Sequence, residues 1–313
     1  MKFSIAQDSL IGGREINQDR AAWHATDDAV LLVVADGMGG HLQGEVAAQL
    51  AVETIVSCFK RMANPRIDNV SQFLSSAMQI AHNTIVRYAI DCRMPQHSSP
   101  RTTCIACVVQ DGMACWAHAG DSRLYLIHGQ SSVLAPSTQT AANHVVTQAV
   151  TQTRDHSVVQ RLFDEGQISK EQMAVHPMRH HVFSCLGGDI KPHIEISPSV
   201  ALADNDVLAL CTDGAWSLLH NQLPERLSRA AIETTVPQLL EFAASHGGPH
   251  ADNLTMLVMR WHSPDLDVAT TPSATAANEV SALHTGAVSD AEIDSAINDI
   301  KQRLSPTPDR AVP

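Results

Sequence analysis

Basic residues are scarce in this chain of 313 residues, where 21 Lys and Arg stand against 33 Asp and Glu and give a formal net charge of −12. Nucleic acids and anionic membranes bind basic surfaces, so we expect neither as a partner. No apolar run reaches the ~20 residues of a transmembrane helix. The segment Met1–Ser4 does not begin the apolar run of a signal peptide, and we therefore expect a cytoplasmic protein.

Several catalytic motifs are missing as well. There is no GxxxxGK for a nucleotide phosphate, and no H-E-x-x-H for zinc despite 17 histidines. A cysteine nucleophile for phosphate transfer needs an arginine six residues later, but Cys185 has Lys191 there. An aspartyl-phosphate site needs Asp-x-Asp after a buried strand, whereas Asp204-Asn205-Asp206 precedes one and is typical of a turn.

The cysteines number seven, an odd count that is typical of reduced thiols and not of a disulfide framework. Cys104 and Cys107 have C-x-x-C spacing, but they lie in the apolar run Thr103–Val109. Positions three apart in a strand point to opposite faces of the sheet. We therefore expect no zinc or redox site at this pair.

Short apolar runs rich in β-branched residues predict buried strands. The strands expected are Ala29–Ala35, Thr103–Val109, Met113–Ala119, Leu124–Ile127, Val207–Cys211 and Leu254–Trp261. Asp111-Gly112 between two of these runs predicts a hairpin, so at least part of the sheet is antiparallel. Apolar residues at three- and four-residue steps predict helices over residues 47–62 and 70–88. Because the runs are apolar on both faces, they indicate a layered structure with covered sheets.

Composition divides the chain into segments. Residues 1–262 are dense in strand and helix signals and are expected to form one catalytic domain, with a Ser-, Thr- and Gln-rich surface insertion at 128–152. Residues 263–288 are rich in Pro, Ala and Thr and are typical of a flexible linker. A capping box at Ser289 predicts a short amphipathic helix over 289–305, followed by a disordered tail over 306–313.

Aspartates stand at the ends of the strongest strand patterns. Asp36 and Asp213, each followed by glycine, end two of the runs; Asp252 stands just before the last run, and Asp19 lies near the N-terminus. An Asp-Gly pair is most often a turn, but no returning strand follows either pair within hairpin distance. Carboxylates that converge at one end of a sheet are costly unless a cation neutralises them. Oxygen ligands without Cys or His favour Mg²⁺ or Mn²⁺.

Nine short segments occur in a fixed order along the chain. They are Arg14-x-x-Asn17-Gln18-Asp19, Val34-Ala35-Asp36-Gly37-Met38-Gly39-Gly40-His41-x-x-Gly44-Glu45, Thr102-Thr103, Ala117-His118-Ala119-Gly120-Asp121-Ser122-Arg123, Arg154-Asp155-His156-Ser157, His176-Pro177, Leu186-Gly187, Cys211-Thr212-Asp213-Gly214 and Asp252-Asn253-Leu254-Thr255. Together they resemble the bacterial branch of the protein phosphatase 2C family over about residues 4–260. The resemblance implies an α+β fold, a four-layer α-β-β-α sandwich of two antiparallel sheets with helices outside and metals at one end.

The resemblance also implies roles for individual residues at a centre of two Mg²⁺ or Mn²⁺ ions with a possible third, weaker ion. The implied roles are a bridging ligand at Asp36, a backbone carbonyl ligand at Gly37, ligands of the other ion at Asp213 and Asp252, a ligand through water at Asp19, the third site at Asp121, and substrate phosphate binding at Arg14. Arg14, Asp36 and Asp213 are accordingly the expected catalytic residues.

Three positions depart from the family pattern. Gln18 stands where many members have a glutamate near the metals, so it brings no charge. Met38 replaces a histidine that animal members carry as a proton donor, and His41 is a possible substitute general acid. Arg101 replaces a common glycine. His180-His181 lie in a segment that resembles the family's mobile flap and are expected at the surface.

The function implied is hydrolysis of phosphoserine and phosphothreonine in proteins by a metal-bridging hydroxide. The resemblance further implies a monomer that opposes a bacterial Ser/Thr kinase. The alternative is a catalytically silent member of the fold that serves as a binding or regulatory module; the loss of Asp36, Asp213 or Asp252 would have favoured it, and all three are present. A third possibility is a hydrolase of small phosphorylated metabolites.

Overall fold

The computed structural model describes residues 1–38, 43–95, 98–129, 150–219 and 222–263. The strands are β1 (Lys2–Leu10), β2 (Asp19–Ala25), β3 (Ala29–Met38), β4 (Arg101–Thr102), β5 (Cys104–Gln110), β6 (Met113–Ala119), β7 (Arg123–Ile127), β8 (Val150–Gln152), β9 (Leu186–Gly187), β10 (Glu195–Ile196), β11 (Val200–Ala201), β12 (Val207–Cys211) and β13 (Leu254–His262). The helices are α1 (Gly44–Met62), α2 (Val70–Asp91), α3 (Val158–Asp164), α4 (Lys170–Val175), α5 (Asp213–Leu219), α6 (Gln222–Arg229) and α7 (Ile232–Gly247), with a 3₁₀ turn at Gly248–His250.

These strands form two sheets in which neighbouring strands run antiparallel. The first sheet has the order β1-β13-β12-β7-β8, and it joins the first strand of the chain to the last. The second has the order β10-β6-β5-β3-β4-β9, with β2 alongside β3 and β11 alongside β6. The two sheets therefore interleave distant parts of the sequence, which brings both ends of the domain to one place.

Alternation along each buried strand produces the layers. In β3, Val30, Leu32 and Val34 point into the core between the two sheets, whereas Leu31 and Val33 pack against α1 and α2. In β12, Leu208 and Leu210 point between the sheets, and the alternate residues pack against α5, α6 and α7. A strand buried on both faces needs apolar residues at every position, which is what the sequence shows. The structure confirms the predicted four-layer α-β-β-α arrangement.

The six strands expected from apolar runs are confirmed, two of them with the expected bounds and four with one or both ends shifted by at most three residues. The hairpin turn between β5 and β6 is confirmed too, with Asp111 and Gly112 at φ 54° and 70°, as a two-residue turn requires. Strand β1 was not expected from periodicity, because its side chains are mostly half-exposed and carry a weak pattern. Helix α7 was not expected either, and it contains Pro237.

Two further expectations concerned the Cys104 and Cys107 pair and the surface insertion at 128–152. Cys104 packs on the helix side of the second sheet and Cys107 packs between the sheets, so the pair cannot share a ligand, as predicted. At the end of the insertion predicted at 128–152, residues 150–152 form the exposed edge strand β8, paired with β7; residues 130–149 lie outside the described ranges.

The segments predicted beyond the domain, the linker at 263–288, the helix at 289–305 and the tail at 306–313, lie outside the described residues except for Ser263. Within the described part of the chain, no helix combines the length and the apolar character needed to cross a membrane.

Candidate active site

Acidic side chains continue the inward faces of the strands at one end of the layer between the sheets. Asp36 follows Val34 by two residues in β3, and it lies opposite Asp19 of β2 in the strand register. Thr255 continues the inward face of β13, and Thr212 follows β12. The apolar core therefore ends in carboxylates and hydroxyls, because the alternation of the strands carries polar residues into the same layer.

Asp19 has one carboxylate oxygen without a partner. Its side chain is 3% exposed, and Oδ2 accepts a hydrogen bond from the Thr212 hydroxyl at 2.8 Å. Oδ1 is buried and has no hydrogen-bond partner among the described residues. Burial raises the pKa of Asp19 to about 7; hydrogen bonds from Thr255 and Thr212 oppose this, and the charge of Asp213 adds to it. A buried acceptor left in this way is unfavourable unless a cation or its water satisfies it.

Three further carboxylates repel one another at the same place. Burial, followed by the charges of Asp19 and Asp213, raises the pKa of Asp36 well above its usual range. Burial and Asp213 do the same for Asp121. Burial and Asp252 raise the pKa of Asp213, while a hydrogen bond with Asp36 acts in the opposite direction. Such mutual destabilisation is typical of a functional site and not of a turn.

Arg14 brings the positive charge to this acidic site. Its Nε and Nη2 donate to Asp252 Oδ1 and Oδ2 at 2.9 and 2.7 Å, a two-point ion pair at the rim. The hydrogen bond and charge of Asp252 raise the pKa of Arg14, and Asp213 and Asp36 contribute as well. Nη1 makes no hydrogen bond among the described residues, so one edge of the guanidinium remains for an anion.

Asn253 holds the loop that carries Arg14; it belongs to the segment Asp252-Asn253-Leu254-Thr255 noted in the sequence, which predicted no role for it. Its Nδ2 donates to the carbonyls of Ile11 and Ile16 at 2.9 and 3.1 Å, and its Oδ1 accepts from the Gln18 amide at 2.8 Å. One buried amide side chain thus satisfies three backbone groups of the loop between β1 and β2. Its place in that segment, beside Asp252 and before β13, is a signal in the sequence, but it does not indicate which backbone groups Asn253 binds.

The backbone around Asp36 is fixed by a threonine pair. Thr103 Oγ1 accepts from the Asp36 N–H at 3.2 Å, and Thr102 Oγ1 donates to the Asp36 carbonyl at 2.8 Å. Gly37 is in contact with α1, so that a Cβ on it would lie 2.2 Å from the carbonyl oxygen of Gly44. Glycine is therefore the residue that permits this close approach of β3 to the start of α1.

Asp121 is held through the indole of Trp216 in α5. Trp216 Nε1 donates to the Asp121 carbonyl at 2.9 Å, and the Arg123 guanidinium lies 3.4 Å from the centre of a Trp216 ring. Arg123 in turn binds Asp155 with two bonds of 2.8 Å. Because α5 also begins with Asp213, this network ties Asp121 to the helix of a second carboxylate.

The structure thus brings Arg14, Asp19, Asp36, Gly37, Asp121, Asp213 and Asp252 to one end of the sandwich; their individual roles stay predictions. His41 lies outside the described residues.

Among the positions that depart from the family pattern, Gln18 Nε2 donates to Glu45 Oε2 at 3.2 Å, so a carboxylate does stand beside that amide. The Arg101 side chain lies against Gly188. His180 is exposed as expected, but its charge lowers the pKa of Asp213, so it lies nearer the site than the sequence indicated.

The donor set fits hard divalent cations. The groups that converge are carboxylates and a backbone carbonyl, and the Asp19 oxygen without a partner marks a place where a cation or its water would be bound. Mg²⁺ and Mn²⁺ prefer such oxygen ligands, whereas Zn²⁺ prefers Cys and His.

Comparison with known proteins gives consistent matches. The family model described as Protein phosphatase 2C matches residues 6–257. The serine/threonine phosphatase stp of Listeria monocytogenes is 29% identical over 250 residues, 79% of this chain and 90% of that protein. The structure of the Mycobacterium tuberculosis serine/threonine phosphatase PstP/Ppp is 27% identical with a TM-score of 0.66, and covers 83% of this chain and 99% of that one. A structure of the PstP catalytic domain in complex with two manganese ions is 25% identical with a TM-score of 0.64, over 83% of this chain and 99% of that one.

Proposed function

Because this chain belongs to the protein phosphatase 2C family, a family of metal-dependent protein serine/threonine phosphatases, we propose that it hydrolyses phosphoserine and phosphothreonine in proteins at the cluster of Asp36, Asp213 and Asp252. The observation that carries the proposal is the burial of mutually repelling carboxylates, one with an oxygen without a partner, beside the guanidinium of Arg14. Neither a structural turn nor a silent binding surface explains why these charges are gathered in one place.

Each acidic residue has a place in this proposal. Asp36 and the Gly37 carbonyl would hold one of two Mg²⁺ or Mn²⁺ ions, Asp213 and Asp252 would hold the other, and Asp36 would serve both. Asp19 would bind through a water, and Asp121 would hold a weaker third ion. When bound, such ions lower the pKa of a coordinated water from 15.7 to roughly 7 and neutralise the phosphate oxygens.

Arg14 orients the substrate. Its ion pair with Asp252 fixes the guanidinium plane, and the remaining Nη1 edge can donate to phosphate oxygens. Asn253 keeps the loop of Arg14 against β13, so the distance from the guanidinium to the acidic site does not depend on a free loop. This arrangement contributes to catalysis by holding the phosphate in one orientation.

The test is hydrolysis of a chromogenic phosphoester by the full chain with Mn²⁺ and with a chelator. We expect turnover only with the metal, and a loss of at least 100-fold in Asp213→Asn. Arg14→Ala is expected to raise KM, and Arg229→Ala is its control because Arg229 also makes an exposed ion pair, with Glu225 at 2.9 Å. Equal turnover of wild type and Asp213→Asn would favour the silent module.

Substrate class and context need separate experiments. A phosphopeptide hydrolysed faster than sugar phosphates and nucleotides supports a protein substrate, and reversal of the order supports a metabolite hydrolase. We further propose that the protein is a cytoplasmic monomer that opposes a Ser/Thr kinase, and that residues 1–262 suffice for turnover. Deletion of residues 263–313 should leave kcat on the small phosphoester unchanged.

A further inference from the structure

Four side chains capable of binding a transition metal meet at the edge of the second sheet, away from the carboxylates described above. His118 in β6 lies directly opposite Glu195 of the edge strand β10, and His193 precedes Glu195 by two residues. The main-chain amide of His156 donates to the carbonyl of Gly120, the residue that follows β6, at 2.9 Å. One potential ligand atom each of His118, His156 and Glu195 lie within 4.8 Å of one another.

The hydrogen bonds of His118 define which nitrogen is available. Nε2 lies 2.8 Å from the carbonyl oxygen of Arg154, and because a carbonyl can only accept, Nε2 carries the proton. Nδ1 therefore holds a lone pair. It is buried, on a residue 2% exposed, and has no partner among the described residues. A histidine that donates one ring N–H to a backbone carbonyl and presents the other nitrogen is the usual arrangement of a metal ligand.

The remaining groups are placed for the same ion. His156 Nε2 and Glu195 Oε2 are 3.4 Å apart, about the separation of two ligands of a tetrahedral ion with bonds of ~2.0–2.2 Å. The ring of His193 lies 5.0 Å from that of His156, within reach as a fourth ligand. The Glu195 side chain is 51% exposed, which gives the ion a path from solvent.

One adjustment is required for binding. The rings of His118 and His156 are stacked, with centres 4.4 Å apart and planes at 26°, so their lone pairs do not meet at one point. Binding to one ion therefore needs a turn of the His156 ring about its Cβ–Cγ bond, and this turn gives up the 3.4 Å hydrogen bond that His156 Nδ1 accepts from the Gly120 N–H. The exposed neighbours His193 and Glu195 leave room on the solvent side for this movement.

We propose that His118, His156 and Glu195, with His193, form a second metal site that selects Zn²⁺ or a similar transition ion. Imidazole nitrogens with a single carboxylate are ligands of Zn²⁺, in contrast to the all-oxygen set of the candidate active site. The site goes beyond the proposed function and does not depend on it. Because its ligands come from β6, β10 and the segment that contains His156, bound Zn²⁺ would also join three parts of the chain.

The experiment uses the full chain with Asp36→Asn and Asp213→Asn, which weakens the acidic site. Zn²⁺ retained after dialysis is measured by elemental analysis, and Co²⁺ is titrated while its visible absorption is followed. We expect about one ion per chain, with Zn²⁺ displacing Co²⁺ and Mg²⁺ leaving the absorption unchanged. Glu195→Gln and His193→Asn in this background should each weaken binding at least tenfold.

Both substitutions replace exposed side chains, so a loss of binding is not a loss of folding. Glu233→Gln, an exposed glutamate in the first turn of α7, is the matched control and should bind like its parent. Bound Zn²⁺ should raise the Tm of the parent and not that of Glu195→Gln. Absence of a retained ion, or unchanged affinity in Glu195→Gln and His193→Asn, overturns the site. Failure of the phosphatase proposal would instead appear as a wild-type chain without turnover that still binds Zn²⁺.

Discussion

Replacement of Asp19 by asparagine should make the protein more stable in a chelator, although the carboxylate is expected to serve the reaction. Asparagine has the same shape and can still accept the hydrogen bond from Thr212. What it removes is a buried charge among the carboxylates of Asp36, Asp213 and Asp252. We therefore expect a gain in the free energy of unfolding, whose size depends on pH.

The magnitude follows from the pKa of Asp19, which folding raises from 3.8 to about 7. At about 1.4 kcal/mol for each tenfold change in proton affinity, this difference corresponds to about 4 kcal/mol. Since the folded pKa is the higher one, the folded state binds the proton more strongly. Below pH 3.8 Asp19 is protonated in both states and does not lower the free energy of unfolding. As the pH rises toward 7 its ionisation lowers this free energy progressively, and above pH 7 the loss is complete. Asp19→Asn should therefore gain most at pH 8 and little at pH 4.

Thermal unfolding in a chelator at pH 8 and at pH 5 measures this difference. For a domain of this size about 4 kcal/mol corresponds to a Tm increase on the order of 10 °C. Asp27→Asn, an exposed acid in the turn between β2 and β3, is the control and should shift Tm by less than about 1 °C. Excess Mn²⁺ should reduce the Tm difference between Asp19→Asn and the wild type, because the wild type is stabilised more by metal binding. A variant less stable than wild type at both pH values would show that hydrogen bonding, and not charge, dominates at Asp19.

Three further changes test the supports of the site. Asn253→Ala should cost about 1–3 kcal/mol in urea unfolding and raise KM for a phosphopeptide, because the loop of Arg14 loses its anchor. Gly37→Ala should lower both turnover and stability by circular dichroism, since a Cβ there lies 2.2 Å from the Gly44 carbonyl oxygen. Arg123→Lys should cost about 1–3 kcal/mol in denaturation, because lysine cannot form the two parallel bonds to its partner carboxylate.

Surface variants provide the comparisons for these changes. Asn83→Ala in α2 matches Asn253→Ala, and Arg229→Lys in α6 matches Arg123→Lys; both replace exposed side chains and should change stability by less than about 0.5 kcal/mol. Unchanged KM in Asn253→Ala would show that Arg14 is positioned without the loop anchor. Wild-type turnover in Gly37→Ala would show that α1 can move away from β3 at no cost to the site.

The sequence predicted those features of the fold that depend only on residues close together in the chain. Apolar runs predicted the central strands, and Asp-Gly predicted the hairpin, because both depend on a few neighbouring residues. The aspartates at strand ends indicated a cationic site for the same reason. Asp36 lies at a strand end whose direction and inward face are set by the strand itself. Strand β1 could not be predicted in this way, because its pairing with β13 depends on residues at the other end of the domain.

The supports of the site depend on such distant pairings. Asn253 donates hydrogen bonds to the carbonyls of Ile11 and Ile16, and Thr212 donates one to Asp19. Because the partners are far apart in the chain, neither role has a local signal in the sequence. The histidine cluster was not foreseen for the same reason, since a search for zinc motifs tests only short spacings. His118 meets Glu195 because β10 returns along the edge of β6, and only the sheet order shows this.

Pairing of β1 with β13 also determines when activity can begin during synthesis. The strands align from Lys2 with His262 to Leu10 with Leu254, and Asp252 and Asn253 immediately precede the later strand. A nascent chain on the ribosome thus lacks a partner for its first strand and an anchor for the Arg14 loop until nearly the entire domain has emerged. Prematurely terminated chains that lack β13 should therefore be inert.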